Sequence, residues 1–140
     1  MAEDENNAEN SADLSDSQLW ASLSEQKLRT ARKHLADGEY RDAVSDAYYA
    51  MFHIARAALT ASGVESRRHT GVASHFAEEF VKTGRVDKEL SRTLMRGLQL
   101  REDADYAPRT IINEEKAKQA VAEAEAFVTQ AKVFVERKDS

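Results

Sequence analysis

Arg101 and Asp105 are the side chains whose types and spacing most directly suggest chemistry. Counted at about 100° per residue from Leu90, Leu94 falls near 40°, Leu98 near 80° and Met95 near 140°, which defines an apolar arc. On the same count Arg101 falls near about 20° and Asp105 near about 60°, inside that arc. A lone ion facing a core costs several kcal/mol, so the two need each other, a ligand or a partner subunit. Two readings stay open. Arg101 and Asp105 form a structural ion pair that fixes helix register, or Arg101 grips a phosphate with its planar fork while Asp105 orients it. Tyr106, near about 160°, sits at the edge of the arc, placed to pack, to cap the site or to offer a hydroxyl.

A second polar stripe lies upstream. Counted from Tyr40, Tyr49 falls near about 180°, His53 near about 220° and Arg56 near about 160°, with Asp42 and Asp46 extending the stripe. A His beside an Arg and a Tyr can hold a phosphate or supply an acid–base group. The same stripe also reads as a polar seam on a crowded helix. Arg67, Arg68 and His69 precede another helix and form a third, weaker anion-binding candidate.

Other chemistries find little support. The chain has no cysteine, which removes thiolate catalysis, disulfides and Cys-based zinc sites. Its histidines, His34, His53, His69 and His75, fall in no metal-ligand spacing, so neither metal nor cofactor is expected. There is no Gly-x-Ser-x-Gly elbow and no basic recognition helix.

The elements that must position these residues are helical. Among 140 residues there are only five Gly and one Pro, and Ala, Leu, Glu, Lys and Arg are abundant. The patterning predicts a first helix from Asp16 or Ser17 as N-cap to the stop at Asp37-Gly38, with Leu19, Leu23, Leu28, Ala31 and Leu35 as its stripe. A central helix follows from Glu39 to Ser62, apolar on several sides. Further helices are expected over Thr70–Thr83, with Val72, Phe76 and Phe80 inward, from Asp87 to the break at Ala107-Pro108, and from Asn113 to Glu136. Short connections favour an all-α, up-and-down antiparallel bundle of about five helices.

Residues 1–16 carry six acidic side chains and no Lys or Arg, and read as an acidic disordered tail before a bundle over 17–140. Residues 17–140 then hold 20 basic against 19 acidic side chains, about +1, so net charge does not decide on nucleic acid. No apolar run is long enough to span a bilayer and the N-terminus lacks a signal-type stretch. A soluble, cytoplasmic protein without membrane contact is expected.

Ala47-Tyr-Tyr-Ala-Met-Phe-His-Ile-Ala-Arg-Ala-Ala-Leu59, then His69-Thr-Gly-Val72, Phe76, Phe80-Val-Lys-Thr-Gly84, and Arg101-Glu-Asp-Ala-Asp-Tyr106 occur in that order. This series resembles the HEPN superfamily, the higher eukaryotes and prokaryotes nucleotide-binding domains, over about residues 17–137. The resemblance implies a helical bundle that commonly forms a homodimer, often acts on RNA as a metal-independent ribonuclease, and in prokaryotes pairs with a minimal nucleotidyltransferase in toxin–antitoxin-like modules. The family's active motif is an Arg, four to six residues, then a His. Arg101 matches the Arg. After four intervening residues comes Tyr106, and after six comes Pro108; no His follows anywhere downstream. His supplies an acid–base group near neutrality and Tyr, with an ordinary pKa of about 10, does so poorly. Binding of RNA or nucleotide phosphate is therefore expected ahead of cleavage, with His53 as the candidate substitute base and Tyr49, Arg56, Arg67, Arg68 and His69 as binding residues. In some family toxins a Tyr near the motif accepts a nucleotidyl group, a position that Tyr106 resembles.

Overall fold

The computed structural model describes residues 15–136. The acidic tail expected over residues 1–16 lies outside them as far as residue 14. The same holds for the end of the expected bundle, residues 137–140.

The described residues contain no strand. They form α1 (Asp16–Ala36), α2 (Tyr40–Ala61), α3 (His69–Phe76), α4 (Lys88–Tyr106) and α5 (Glu114–Glu136), with a π-helical segment, Ala77–Val81, continuing α3. This is the all-helical bundle that the patterning predicts. The cap of α1 is Ser15 rather than Asp16 or Ser17, because Ser15 and Gln18 close a reciprocal capping box. Asp87 caps α4 as expected, accepting from the Glu89 amide at 2.8 Å. Gly38 and Gly63 follow α1 and α2 with φ of 78° and 82°, the left-handed geometry that ends a helix.

The helix expected as one unit over Thr70–Thr83 is α-helical only to Phe76. Beyond it the turn widens, with the Lys82 amide donating to the Ala77 carbonyl. Val72, Phe76 and Phe80 all face inward, as their spacing predicts. Phe76 meets Phe80 and Phe127 at ring distances of 5.0 and 5.4 Å, and Phe80 meets Phe134 at 4.4 Å.

The central helix is α2. Thirteen of its residues are buried, from Ala43 to Leu59, and α1, α4 and α5 all pack on it. Its alanines 43, 47, 50, 55, 57 and 58 let neighbours come close. Gly97 does the same from α4, since a Cβ there would sit 2.4 Å from the Met51 methyl and 3.4 Å from the Tyr48 ring. Arg96 ties α4 to α5 through Glu123 at 3.1 Å and is itself braced by Glu89.

Two expected stripes hold only in part: Leu28 and Ala31 on α1, and Leu90, Leu94 and Leu98 on α4, are buried as expected, and the others differ. Leu19 and Leu23 are each 40% exposed, while Ser17, Ser24, Leu28 and Ala31 are the buried face of α1. The reason is close helix packing: the Ser24 hydroxyl donates to the Ala50 carbonyl at 2.7 Å and is thereby buried without penalty. On α4, Met95 is 46% exposed and Leu90, Thr93, Leu94 and Leu98 face inward.

Candidate functional site

The two polar groups placed on α2 and α4 meet through Tyr49 and Arg101. Arg101, in the last turns of α4, is a half-buried side chain, 14% exposed. Its Nη2 donates to the Tyr49 hydroxyl at 2.7 Å, and its Nε lies 3.1 Å from Asp105 Oδ2. The Nε contact is an ion pair without hydrogen-bond alignment, which leaves that N–H buried and unsatisfied. The guanidinium carbon is 5.2 Å from the Tyr49 ring centre and 5.7 Å from that of Tyr106.

Asp105 departs from the position expected for it. Its side chain is 32% exposed, so the pair stands at the rim of the core and not inside it. The apolar arc of α4 narrows toward its C-terminus, where Ala104 alone of the last residues is buried. Tyr106 is 72% exposed, covering Arg101 from outside instead of packing inward.

His69 opens α3 and reaches the same cluster. Its Nδ1 is 2.8 Å from the Tyr48 hydroxyl, and its ring lies 4.4 Å from that of Phe52 and 5.9 Å from that of Tyr49. Burial pushes its pKa below 6.5, and the Arg101 charge adds to that. The Tyr48 hydroxyl is driven far above 10, chiefly by burial. Tyr48 therefore serves as a neutral hydrogen-bonding group here and holds His69 in place.

His53 lies beneath this cluster, its ring 6.0 Å from Tyr49 and stacked 5.4 Å from Trp20. Burial, together with the Lys27 and Arg56 charges, lowers its pKa to about 4. It is thus neutral near pH 7, with a buried Nδ1 that has no hydrogen-bond partner among the described residues. A base this weak accepts a proton reluctantly.

From α1, Lys27 sits 5.7 Å above the Tyr49 ring and 3.6 Å from Asp46, whose other oxygen is 2.6 Å from His34 Nδ1. The carboxylate of Asp46 on the α2 stripe is thus occupied by α1 and does not face a ligand.

The remaining candidates separate. Arg56 lies over Trp20, its guanidinium carbon 3.9 Å from the ring centre. Arg56 and Arg67 line one groove with Trp20. Arg68 is exposed at the N-cap of α3, and no side-chain bond joins it to the Arg101 cluster among the described residues.

Three contributors escape the sequence reading. Tyr48 and Lys27 act through contacts that no local spacing announces. Arg41, near the start of α2, donates from Nη1 to the Ala104 carbonyl at 2.6 Å, and from Nη2 to the Pro108 and Thr110 carbonyls. It gathers the free carbonyls where α4 ends and fixes the segment that carries Asp105 and Tyr106. The adjacent Tyr48-Tyr49 pair is the one local signal, since neighbouring helical positions send two hydroxyls in directions about 100° apart.

Chemically, the cluster offers a held cation, two phenols and two neutral imidazoles. Among the described residues no three His, Asp or Glu side chains converge as a metal would require. Also among them, no helix is long and apolar enough to cross a membrane.

Comparison with known proteins agrees with this architecture. The HEPN domain profile matches residues 17–134. A "UPF0332 protein" of Thermotoga maritima is 33% identical over 119 residues, covering 85% of this chain and 90% of its own. "Putative toxin MJ0605" of Methanocaldococcus jannaschii is 36% identical over 110 residues, covering 79% and 81%. "Putative toxin MJ0142" of the same organism is 32% identical over 111 residues, covering 79% and 76%.

Proposed function

The chain belongs to the HEPN domain family, and on that premise we propose that it binds RNA or nucleotide phosphate at Arg101 as part of a cytoplasmic toxin–antitoxin-like module. Its partners in this reading are a second copy of itself and a minimal nucleotidyltransferase. The toxin names of two relatives support the module, and the family supports the ligand class.

The observation that carries the ligand reading is how Arg101 is held. Tyr49 and Asp105 fix two of its nitrogens, while Nη1 has no partner among the described residues. A guanidinium positioned in advance at the rim of a core loses little freedom when it takes an anion. The exposure of Asp105 speaks against a pair sealed in the core for stability alone.

Cleavage is not part of the proposal. Transesterification at an RNA phosphate moves the 2′-hydroxyl proton to a base and delivers a proton to the departing 5′-oxygen. His53, with a pKa of about 4, is a poor source of imidazolium at neutral pH, and burial shifts His69 in the same direction.

The test is binding of adenosine monophosphate and of a single-stranded RNA by the wild type and Arg101→Ala, with RNA cleavage in EDTA followed in parallel. Binding lost in a folded Arg101→Ala protein supports the reading. Unchanged binding removes Arg101 from it, and Arg101-dependent cleavage would restore an enzymatic role.

A further inference from the structure

We propose that the groove around Trp20 is a second nucleotide subsite, which takes a base of a single strand whose phosphate is held at Arg101. The inference rests on the phosphate-binding reading of Arg101 and extends it to a stretch of surface that the family motif does not include.

The groove lies between the start of α1, the end of α2 and the loop before α3. It has a volume of about 440 Å³ and is lined by Leu19, Trp20, Leu23, Arg56 and Arg67 among others. Leu19 and Leu23 are the two apolar side chains that α1 turns outward. An exposed apolar wall beside an aromatic ring and two arginines matches a base better than a bare phosphate. Bases stack on aromatic rings and on guanidinium planes, while arginines also take the flanking phosphates.

The Arg56 guanidinium is already over the Trp20 ring, its carbon 3.9 Å from the ring centre. Its plane offers a stacking face as it stands, or it can yield its place on the ring to a base. Asp16 and Glu65 line the same groove. They blunt its pull on phosphate and supply acceptors for the exocyclic amine of adenine or cytosine. Base recognition therefore belongs at this end and phosphate recognition at Arg101.

A continuous ring path joins the two ends. Arg101 is 5.2 Å from the Tyr49 ring, Tyr49 is 6.0 Å from His53, and His53 is 5.4 Å from Trp20. Tyr49 and His53 are packed side chains of α2 and not an open track, so these contacts give only the spacing between the two ends. In this proposal a mononucleotide at Arg101 leaves Trp20 untouched and a strand of several nucleotides reaches it.

Trp20 is the chain's one tryptophan, so the tryptophan emission comes from this groove. The experiment titrates full-length protein with adenosine monophosphate and with fluorescein-labelled octaadenylate, reading tryptophan emission and label anisotropy, for the wild type, Arg67→Glu and Arg101→Ala. Arg67 is exposed and makes no side-chain bond among the described residues, so its replacement leaves the fold alone.

Octaadenylate is expected to quench Trp20 and adenosine monophosphate to leave it unchanged. Arg67→Glu is expected to weaken octaadenylate binding about tenfold, in line with a lost cationic contact and an added repulsion, without affecting the mononucleotide. Octaadenylate that binds through Arg101 yet neither quenches Trp20 nor responds to Arg67→Glu overturns the subsite and keeps the Arg101 reading. Absence of any Arg101-dependent binding overturns both.

Discussion

Tyr49 of α2 and Arg101 of α4 are joined by a 2.7 Å hydrogen bond across the helix interface, so the candidate phosphate ligand is aimed by a phenol. Tyr49→Phe keeps the ring and removes the acceptor. A hydrogen bond to a charged group is worth about 1.5–3 kcal/mol, and part of that is recovered when water replaces the phenol at a site not fully buried. Urea denaturation is expected to show a loss of about 1 kcal/mol. Mononucleotide binding should weaken severalfold, because Arg101 then samples more rotamers. Unchanged affinity in Tyr49→Phe, with the expected loss of stability, would mean that the contact serves only to join α2 and α4.

Acid should destabilise the fold through its neutral imidazoles. His53 has its pKa lowered from 6.5 to about 4, first by burial and then by Lys27 and Arg56. His69 is lowered as well, by burial and Arg101. The unfolded chain takes up these protons near pH 6.5 while the folded chain refuses them, so stability is fully present above that pH and is lost as pH falls toward 4. Urea midpoints should therefore fall between these pH values in the wild type, and less steeply in His53→Gln. A His53→Gln protein with the wild-type slope would assign the acid sensitivity to other groups.

Ser24 tests the packing of α1. It is fully buried, and its hydroxyl reaches the Ala50 carbonyl at 2.7 Å. Ser24→Ala should cost about 1 kcal/mol, the worth of an ordinary hydrogen bond. Ser24→Leu should cost more, roughly 1–3 kcal/mol or above, because nothing in that contact can yield to the added volume. Thermal melts of the two variants give the order directly. A leucine variant as stable as wild type would show that the α1–α2 contact has room that the geometry denies.

That residue also explains where the sequence was and was not legible. Helix number, order and ends could be read because caps and breakers act locally: Asp87 and Gly63 do their work within one turn. The apolar run of α2, and the spacing of Val72, Phe76 and Phe80, identified buried faces correctly. The face of α1 did not follow from hydropathy, since Ser17 and Ser24 are inside while Leu19 and Leu23 are outside. Small polar residues enter a helix interface when a neighbouring carbonyl satisfies them, and that carbonyl belongs to another helix. The site follows the same rule. Arg101 and Asp105 stand one helical turn apart in sequence and meet, whereas the Tyr48–His69 and Lys27–Asp46 contacts depend on how separate helices cross.

Arg41 sets the last prediction. It sends three hydrogen bonds to carbonyls at the end of α4, those of Ala104, Pro108 and Thr110. Pro108 has no N–H to offer the Ala104 carbonyl, the Pro108 and Thr110 carbonyls follow beyond the helix end, and a planar fork can serve all three at once. Lysine keeps the charge but cannot span them, so Arg41→Lys should release residues 104–110 while the bundle stays folded. Hydrogen exchange is expected to speed up in that segment and in the last turn of α4, with the amides of α2 and α5 unchanged. Binding at Arg101 should weaken in proportion, since Asp105 and Tyr106 ride on the released turn. Faster exchange with undiminished binding would show that Arg101 is held by Tyr49 alone; unchanged exchange would show that the loop does not depend on Arg41.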